Sequence, residues 1–171
     1  EVDEPAGKGH DPLVHDALVE LRDKQTPPAH FRRAATRISV LLAAEALREA
    51  PTVAVTVETP IGPAAGRRLK PEVVVVPVLR AGLGMLDAVL DLVPDARVGH
   101  IGLQRDEETA IASRYYPKLP NRLEHSYVLM IDPMLATGGS AVAAIDLLHQ
   151  AGARDVRIVC IVAAPEGITT V

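Results

Sequence analysis

Apolar positions in this chain change their rhythm part-way along, and the change divides it into two kinds of structure. Residues 11–24 place Leu13, Ala17, Leu18 and Leu21 on one face, the spacing of an amphipathic helix. Pro27-Pro28 breaks it and opens a longer helix over 29–50, with Ala34, Ile38, Leu41, Leu42 and Leu47 on its apolar face and Pro51 as its stop. Val53, Val55 and Val57 alternate with Ala54 and Thr56, as in a half-exposed strand, and Thr59-Pro60-Ile61-Gly62-Pro63 turns the chain back into a small antiparallel ribbon. After Lys70 alternation gives way to a continuous run, Val73-Val74-Val75-Val76-Pro77-Val78-Leu79. Runs of this kind belong to parallel strands covered on both faces.

From there strands and helices alternate. A helix is predicted over 85–92, a strand over 98–103, a strand over 127–132, a helix over 139–150 and a strand over 156–162. The 139–150 helix carries Val142, Ile145 and Leu148 as its inner stripe and Gly152 as its stop. Residues 104–125 are polar, hold Tyr115 and Tyr116, and show neither helical nor strand period, so they read as a long loop of the kind that closes over ligands. Residues 1–9 read as a loose tail. The expected fold class is α/β, an open parallel sheet flanked by helices with right-handed crossovers, in a single domain over residues 1–171, with the antiparallel ribbon as an appendage.

Composition narrows what such a fold can do. Of 171 residues 48% are hydrophobic and 23% charged, the balance of a globular protein. One Phe, three Tyr and no Trp leave almost nothing on which nucleic-acid bases could stack, and a net charge of −4 argues against broad electrostatic binding of a polyanion. No nucleic-acid partner is therefore expected. No membrane is expected either, because the chain has no long apolar span, and with no leader-type start the cytoplasm is the expected location. Cys160, the single cysteine, sits in the apolar run 159–162 and reads as a buried structural thiol. The six histidines are scattered without ligand spacing, so no metal site made by the protein alone is expected.

In open parallel sheets, ligands bind beyond the carboxyl ends of the strands. The third strand of the sheet leads into Asp132-Pro133-Met134-Leu135-Ala136-Thr137-Gly138-Gly139-Ser140 and then a helix. Two glycines, two hydroxyls and the positive end of a helix dipole make a phosphate cradle, and a carboxylate at the strand end can accept hydrogen bonds from sugar hydroxyls. Taken alone, the same residues fit an ordinary strand–helix turn with Ser/Thr capping equally well. No Lys follows the second glycine, so this is not a Walker loop, and Gly82-Leu83-Gly84-Met85-Leu86-Asp87 has Asp87 where a dinucleotide fingerprint needs glycine. Arg80 follows the first strand among small residues, and Arg105 follows the second; a guanidinium at either place can grip a phosphate group bidentately. Together the three loops imply a ligand with two separated phosphate groups and a sugar between them.

Pro77–Met85, Arg105-Asp106-Glu107-Glu108-Thr109, Asp132–Ser140 and Ala163-Ala164-Pro165-Glu166-Gly167 resemble, in order and spacing, the signatures of the uracil phosphoribosyltransferases, a family with the type I phosphoribosyltransferase fold. The likeness covers about residues 11–168, and Asp132-Pro133 stands where most enzymes of that fold carry two adjacent acids. It implies transfer of ribose 5-phosphate from phosphoribosyl pyrophosphate (PRPP) to uracil, giving UMP and pyrophosphate. It implies that PRPP is held by Arg80, Arg105, Asp132, Pro133, Met134, Leu135, Ala136, Thr137, Gly138, Gly139 and Ser140, with Asp132 and Arg105 also catalytic. It further implies Mg2+ held mainly through PRPP, assembly into dimers or tetramers, and, for some members, activation by GTP. The family's base-binding segment, a Gly-rich acidic loop, follows the part matching 163–167, so the uracil contacts are expected beyond Val171. The two rivals are a phosphoribosyltransferase for another base and a PRPP-binding regulator without catalysis.

Overall fold

The computed structural model describes residues 12–105 and 112–171, and for 103–105 and 112–115 the backbone alone. Helix α1, Pro12–Arg22, packs on α2, Pro28–Ala46, through Ala17, Ala34 and Ile38, all fully buried. Leu13, expected on this inner face, is 54% exposed. Pro28 opens α2, where its missing N–H costs nothing. The helix stops at Ala46, ahead of the expected Pro51: Leu47 N still bonds four residues back to Ala43 O, but Arg48 N bonds three residues back to Glu45 O and the α-helical pattern ends.

The ribbon is β1, Thr52–Thr59, paired antiparallel with β2, Gly62–Leu69. Its turn is closed by the Thr59 hydroxyl, which donates to Gly62 O at 2.6 Å, and Gly62 takes φ of +129°, a value few side chains tolerate. The expected half-burial is not found. Val53 and Val57 are 46% and 39% exposed, and Ile61 at the tip is 99% exposed. A two-stranded ribbon has no layer behind it to bury one face.

The main sheet holds β3, Glu72–Leu79, β4, Arg97–Val98, β5, His100–Arg105, β6, Ala112–Lys118, β7, Ser126–Ile131, and β9, Asp155–Val159. Its order is β6-β5-β3-β7-β9, with β4 beside β3. All pairings are parallel except β5 with β6. The predicted strand over 98–103 is β4 and β5 together, interrupted at Gly99, whose amide bonds to Val75 O. Within the loop expected over 104–125, residues 112–118 form a strand, β6. β6 pairs with β5 through a register shift at Gly102/Leu103, and a short 3-10 turn follows at Leu123–His125. The sheet is thus mixed, with an antiparallel edge, as large α/β sheets often are. Residues 106–111 and the tail at 1–9 lie outside the described residues.

Helix α3, Leu83–Leu92, follows β3, and α4, Gly139–Gln150, follows β7. Successive residues of a strand point to opposite faces, and here both faces are covered. Val74, Val76, Val78, Val128 and Met130 pack with Ala141, Ala144 and Leu148 of α4. Val73, Val75, Leu129 and Ile131 pack with Met85 and Val89 of α3 and Ala43 of α2. Leu148 lies on the inner stripe of α4 as expected and Ile145 packs partly against it, while the fully covered positions of the first two turns are Ala141 and Ala144 rather than Val142 and Ile145. Two short strands, β8, Met134–Leu135, and β10, Val162–Ala163, pair parallel outside the main sheet, and a last helix, α5, spans Pro165–Thr170. Neither the pair nor α5 is apparent in the sequence pattern.

Tyr127 ties the layers together. Its ring is 2% exposed and its hydroxyl donates to Ala46 O, 2.8 Å away, at the end of α2. Tyr127→Phe leaves that carbonyl without its donor and should lower unfolding stability by about 1–2 kcal/mol, read by urea denaturation; an unchanged midpoint would show that the bond contributes nothing.

Candidate functional site

Three strands end at one edge of the sheet. β3 ends at Leu79, β7 at Ile131, and β5 runs on to Arg105, three residues past the Gly102 that pairs with Leu79. At about 3.3 Å per residue, Arg105 stands roughly 10 Å beyond the end of β3. The fold therefore brings the Arg80, Arg105 and Asp132 segments to the same edge. Arg80 is exposed, and the peptide bond that leads into it, Leu79-Arg80, is cis. The side chain of Arg105 lies outside the described residues.

The Arg80 loop meets the end of β7, which leads into the Asp132 loop, through Gly82. This residue is buried, and its amide bonds to Val78 O at 2.9 Å. A Cβ placed on it would come within 2.5 Å of Ile131 O and 2.8 Å of Val78 N and O, all rigid backbone atoms. Only glycine lets the turn after β3 lie this close to the end of β7. Asp132, half-buried, extends β7 by one more bond, its amide donating to Val159 O at 3.1 Å. The chain then runs through half-buried Pro133 and through β8, with Met134 exposed and Leu135 buried. Exposed Ala136 and Thr137 follow, then Gly138.

Gly138 decides what this turn is. It is the N-cap of α4, held at φ +85°, and no side chain caps the helix. The first turn of α4 also contains no acidic residue. The capped strand–helix turn that the sequence alone allowed is therefore not what forms. Exposed Gly139 and half-exposed Ser140 begin a helix whose first amides no side chain caps, next to the exposed Thr137. Unpaired amides at a helix start bind anions, phosphate above all.

Cys160 lies behind this edge. Burial first, and the nearby Asp132 carboxylate second, push its thiol above the ordinary value. Such a thiol is protonated and inert near neutral pH, as its apolar setting in the sequence suggested. Among the described residues no three His, Cys, Asp or Glu gather into a metal-binding group, and no helix is long and apolar enough to cross a membrane.

A family model described as uracil phosphoribosyltransferase matches residues 9–171. The chain belongs to this family. The uracil phosphoribosyltransferase of Dictyoglomus thermophilum is 51% identical over 160 residues, covering 93% of this chain and 77% of that protein. That of Halalkalibacterium halodurans is 47% identical over 161 residues, 94% of this chain and 77% of its own length. Among solved structures, the AQ2163 protein of Aquifex aeolicus superposes with a TM-score of 0.86 at 35% identity, over 95% of this chain and 77% of that one. A purine phosphoribosyltransferase of Pyrococcus horikoshii superposes at 0.57 with 19% identity, over 77% of this chain and 74% of its own, a likeness of fold alone. The fold is the type I phosphoribosyltransferase fold, and the family's enzymes are phosphoribosyltransferases.

What the sequence motifs left unseen is the backing of the cradle. The segment 163–167 marked the family, but its place in space, against Leu135, Ala136 and Gly138, comes only from the structure. The one local signal was Pro165, which opens α5.

Gly82→Ala tests the contact between the Arg80 loop and the end of β7. The added methyl meets backbone that cannot yield, so stability should fall by about 1–3 kcal/mol, as for other overpacked sites. Thermal unfolding of the variant reads this, and an unaltered Tm would mean that the two can separate at no cost.

Proposed function

We propose that this chain transfers ribose 5-phosphate from PRPP to uracil, forming UMP and releasing pyrophosphate. The observation that carries this is the uncapped, Gly138-led start of α4, standing at the same sheet edge as Asp132 and Arg80. Family membership supplies the base.

Roles follow from placement. The amides of Ala136–Ser140 and the hydroxyls of Thr137 and Ser140 hold the 5-phosphate, with the positive end of α4 behind them. Asp132 accepts hydrogen bonds from the ribose hydroxyls. Arg80 binds the pyrophosphate, and Arg105, on the neighbouring strand, closes on the same group. As the bond from C1′ to pyrophosphate breaks, positive charge grows on the ribose and negative charge on the leaving group. Asp132 faces the first charge and the arginines the second, and the electron pair of the broken bond leaves with pyrophosphate. Uracil N1 then forms the new bond to C1′ and gives up its proton. Fixed charges and positioning account for the acceleration, without a nucleophilic side chain.

Mg2+ fits these donors. Among the described residues Asp132 is the carboxylate of this edge and no cage of carboxylates gathers, which suits a cation that keeps its waters and would be held through the phosphate oxygens of PRPP with Asp132 beside them. When bound, it adds positive charge to the departing pyrophosphate. The proposal also includes cytoplasmic action and self-association into dimers or tetramers, the latter supported by the exposed apolar residues of the β1–β2 ribbon.

UMP formation from PRPP, measured with uracil and with a panel of other bases, tests the substrate. Turnover of a different base in preference to uracil would overturn the assignment, and PRPP binding without turnover of any base would favour the regulator. Arg80 is exposed at the edge of the fold, so Arg80→Ala should leave stability intact. It should lower kcat/KM by about 2–4 kcal/mol in transition-state terms, the range for one preorganised donor. Steady-state kinetics that show less than about a threefold fall would remove Arg80 from the leaving-group site.

A further inference from the structure

The segment behind the cradle is built around two contacts that close from one side on the phosphate-binding loop. β10 pairs with β8, and the amides of Ile161 and Val162 both donate to Pro133 O at 3.1 and 3.0 Å. Ala164 N donates to Leu135 O at 2.8 Å, and α5 begins at the next residue. α5 then presents two residues to the loop. Gly167 is buried, and a Cβ on it would press into the carbonyl oxygen of Ala136, with Leu135 Cγ at 3.0 Å and Leu135 O at 3.1 Å. Thr170, one turn on, faces Gly138: a Cβ on Gly138 would fall 2.8 Å from Thr170 Cβ and 3.1 Å from its Cγ2. The Thr170 hydroxyl is turned away, donating to Glu166 O at 2.8 Å, so the surface that meets Gly138 is carbon.

We propose that α5 sets the position of the 5-phosphate cradle, with Gly167 and Thr170 as positioning residues. Gly167 fixes Ala136 and Thr170 fixes Gly138, so the loop is held on both sides of Thr137, the residue between them. Neither touches the ligand. Each acts through the backbone whose amides do. The contacts are van der Waals contacts against backbone atoms, which resist displacement more than flexible side chains would. Their absence from the Arg80 loop makes the effect local: shifting α5 moves the 5-phosphate site and leaves the pyrophosphate site where it is.

This rests on the phosphoribosyl transfer proposed above, and the two can fail separately. The probes are ribose 5-phosphate, which reports the cradle, and pyrophosphate with Mg2+, which reports the Arg80 side, each titrated by calorimetry into the wild-type chain and into Gly167→Ala. A variant displaced at the cradle should bind ribose 5-phosphate about tenfold more weakly while pyrophosphate affinity stays within about twofold. In kinetics, KM for PRPP should rise more than kcat falls. Thr170→Gly removes the second contact from an exposed helix end, so it keeps the test decisive if Gly167→Ala fails to fold. It should show the same selective loss, and Thr170→Val, which keeps the carbon surface and loses only the hydroxyl, should restore it. Wild-type affinity for ribose 5-phosphate in the folded variants, or equal loss of both probes, would overturn the positioning role. A wild-type chain that binds neither probe would instead overturn the transfer reaction itself.

Discussion

The site depends on β3 and β7 lying side by side, parallel, with both faces covered. Their register, from Glu72 opposite Ser126 to Pro77 opposite Ile131, fixes where each strand stops, and so fixes Arg80 and Asp132 at one edge. The pairing is held by alternation: even-numbered residues of both strands go to the α4 side and odd-numbered ones to the α2–α3 side. A slip of one residue would exchange the two sets. It would also carry Gly82 away from the Ile131 carbonyl, against which only a residue without a Cβ fits. Core packing and ligand geometry are thus the same constraint seen at two ends of the strands.

The sequence made this central part legible because its signals are local and strong. Four consecutive valines report a strand covered on both sides, and Gly138-Gly139 and Gly152 bracket α4 to the residue. Other parts were hidden for definite reasons. β6 reads Ala-Ser-Arg-Tyr-Tyr-Pro-Lys, with no alternation and a proline inside; an edge strand bonded on one side only tolerates both. The β1–β2 ribbon has the alternation of a half-buried strand, yet its valines have nothing to cover them, since alternation tells which residues share a face and not whether a layer lies behind it. β8, β10 and α5 are too short to have a period at all. Their existence is decided by contacts between residues about 28 positions apart, such as Met134 with Val162, and no window along the chain reports such a contact.

The cradle shows the same division at finer scale. Asp132–Ser140 carried both a phosphate-binding and a capping interpretation, because Thr137 and Ser140 are residues that do either. What separates the two is backbone conformation, which residue identity does not determine here. With Gly138 at positive φ as the N-cap, the position a side-chain cap would occupy holds a residue with no side chain to cap with. The two hydroxyls are then not used up in capping the helix.

Charge placement makes the same point energetically. The chain is acidic overall at −4, and an aspartate or glutamate in the first turn of α4 would be favoured in isolation, worth about 0.3–1 kcal/mol against the helix dipole. None is there. Such a carboxylate would compete with a phosphate for the same amides and repel it at short range. Asp132 stands at the end of β7, at the start of the loop rather than in the helix, the place the proposed reaction gives to the ribose hydroxyls. A protein that is negative as a whole can therefore bind a strongly negative ligand. In the proposed reaction the attraction comes from backbone dipoles and from Arg80 and Arg105, and the unfavourable net charge is spread over a surface from which solvent and salt screen it. Binding of this kind requires the loop backbone to be held in place before the ligand arrives, because a dipole that must first be reoriented loses most of its advantage over water. That requirement is what gives a purpose to the contacts of Gly167 with Ala136 and of Thr170 with Gly138, which make no chemistry of their own.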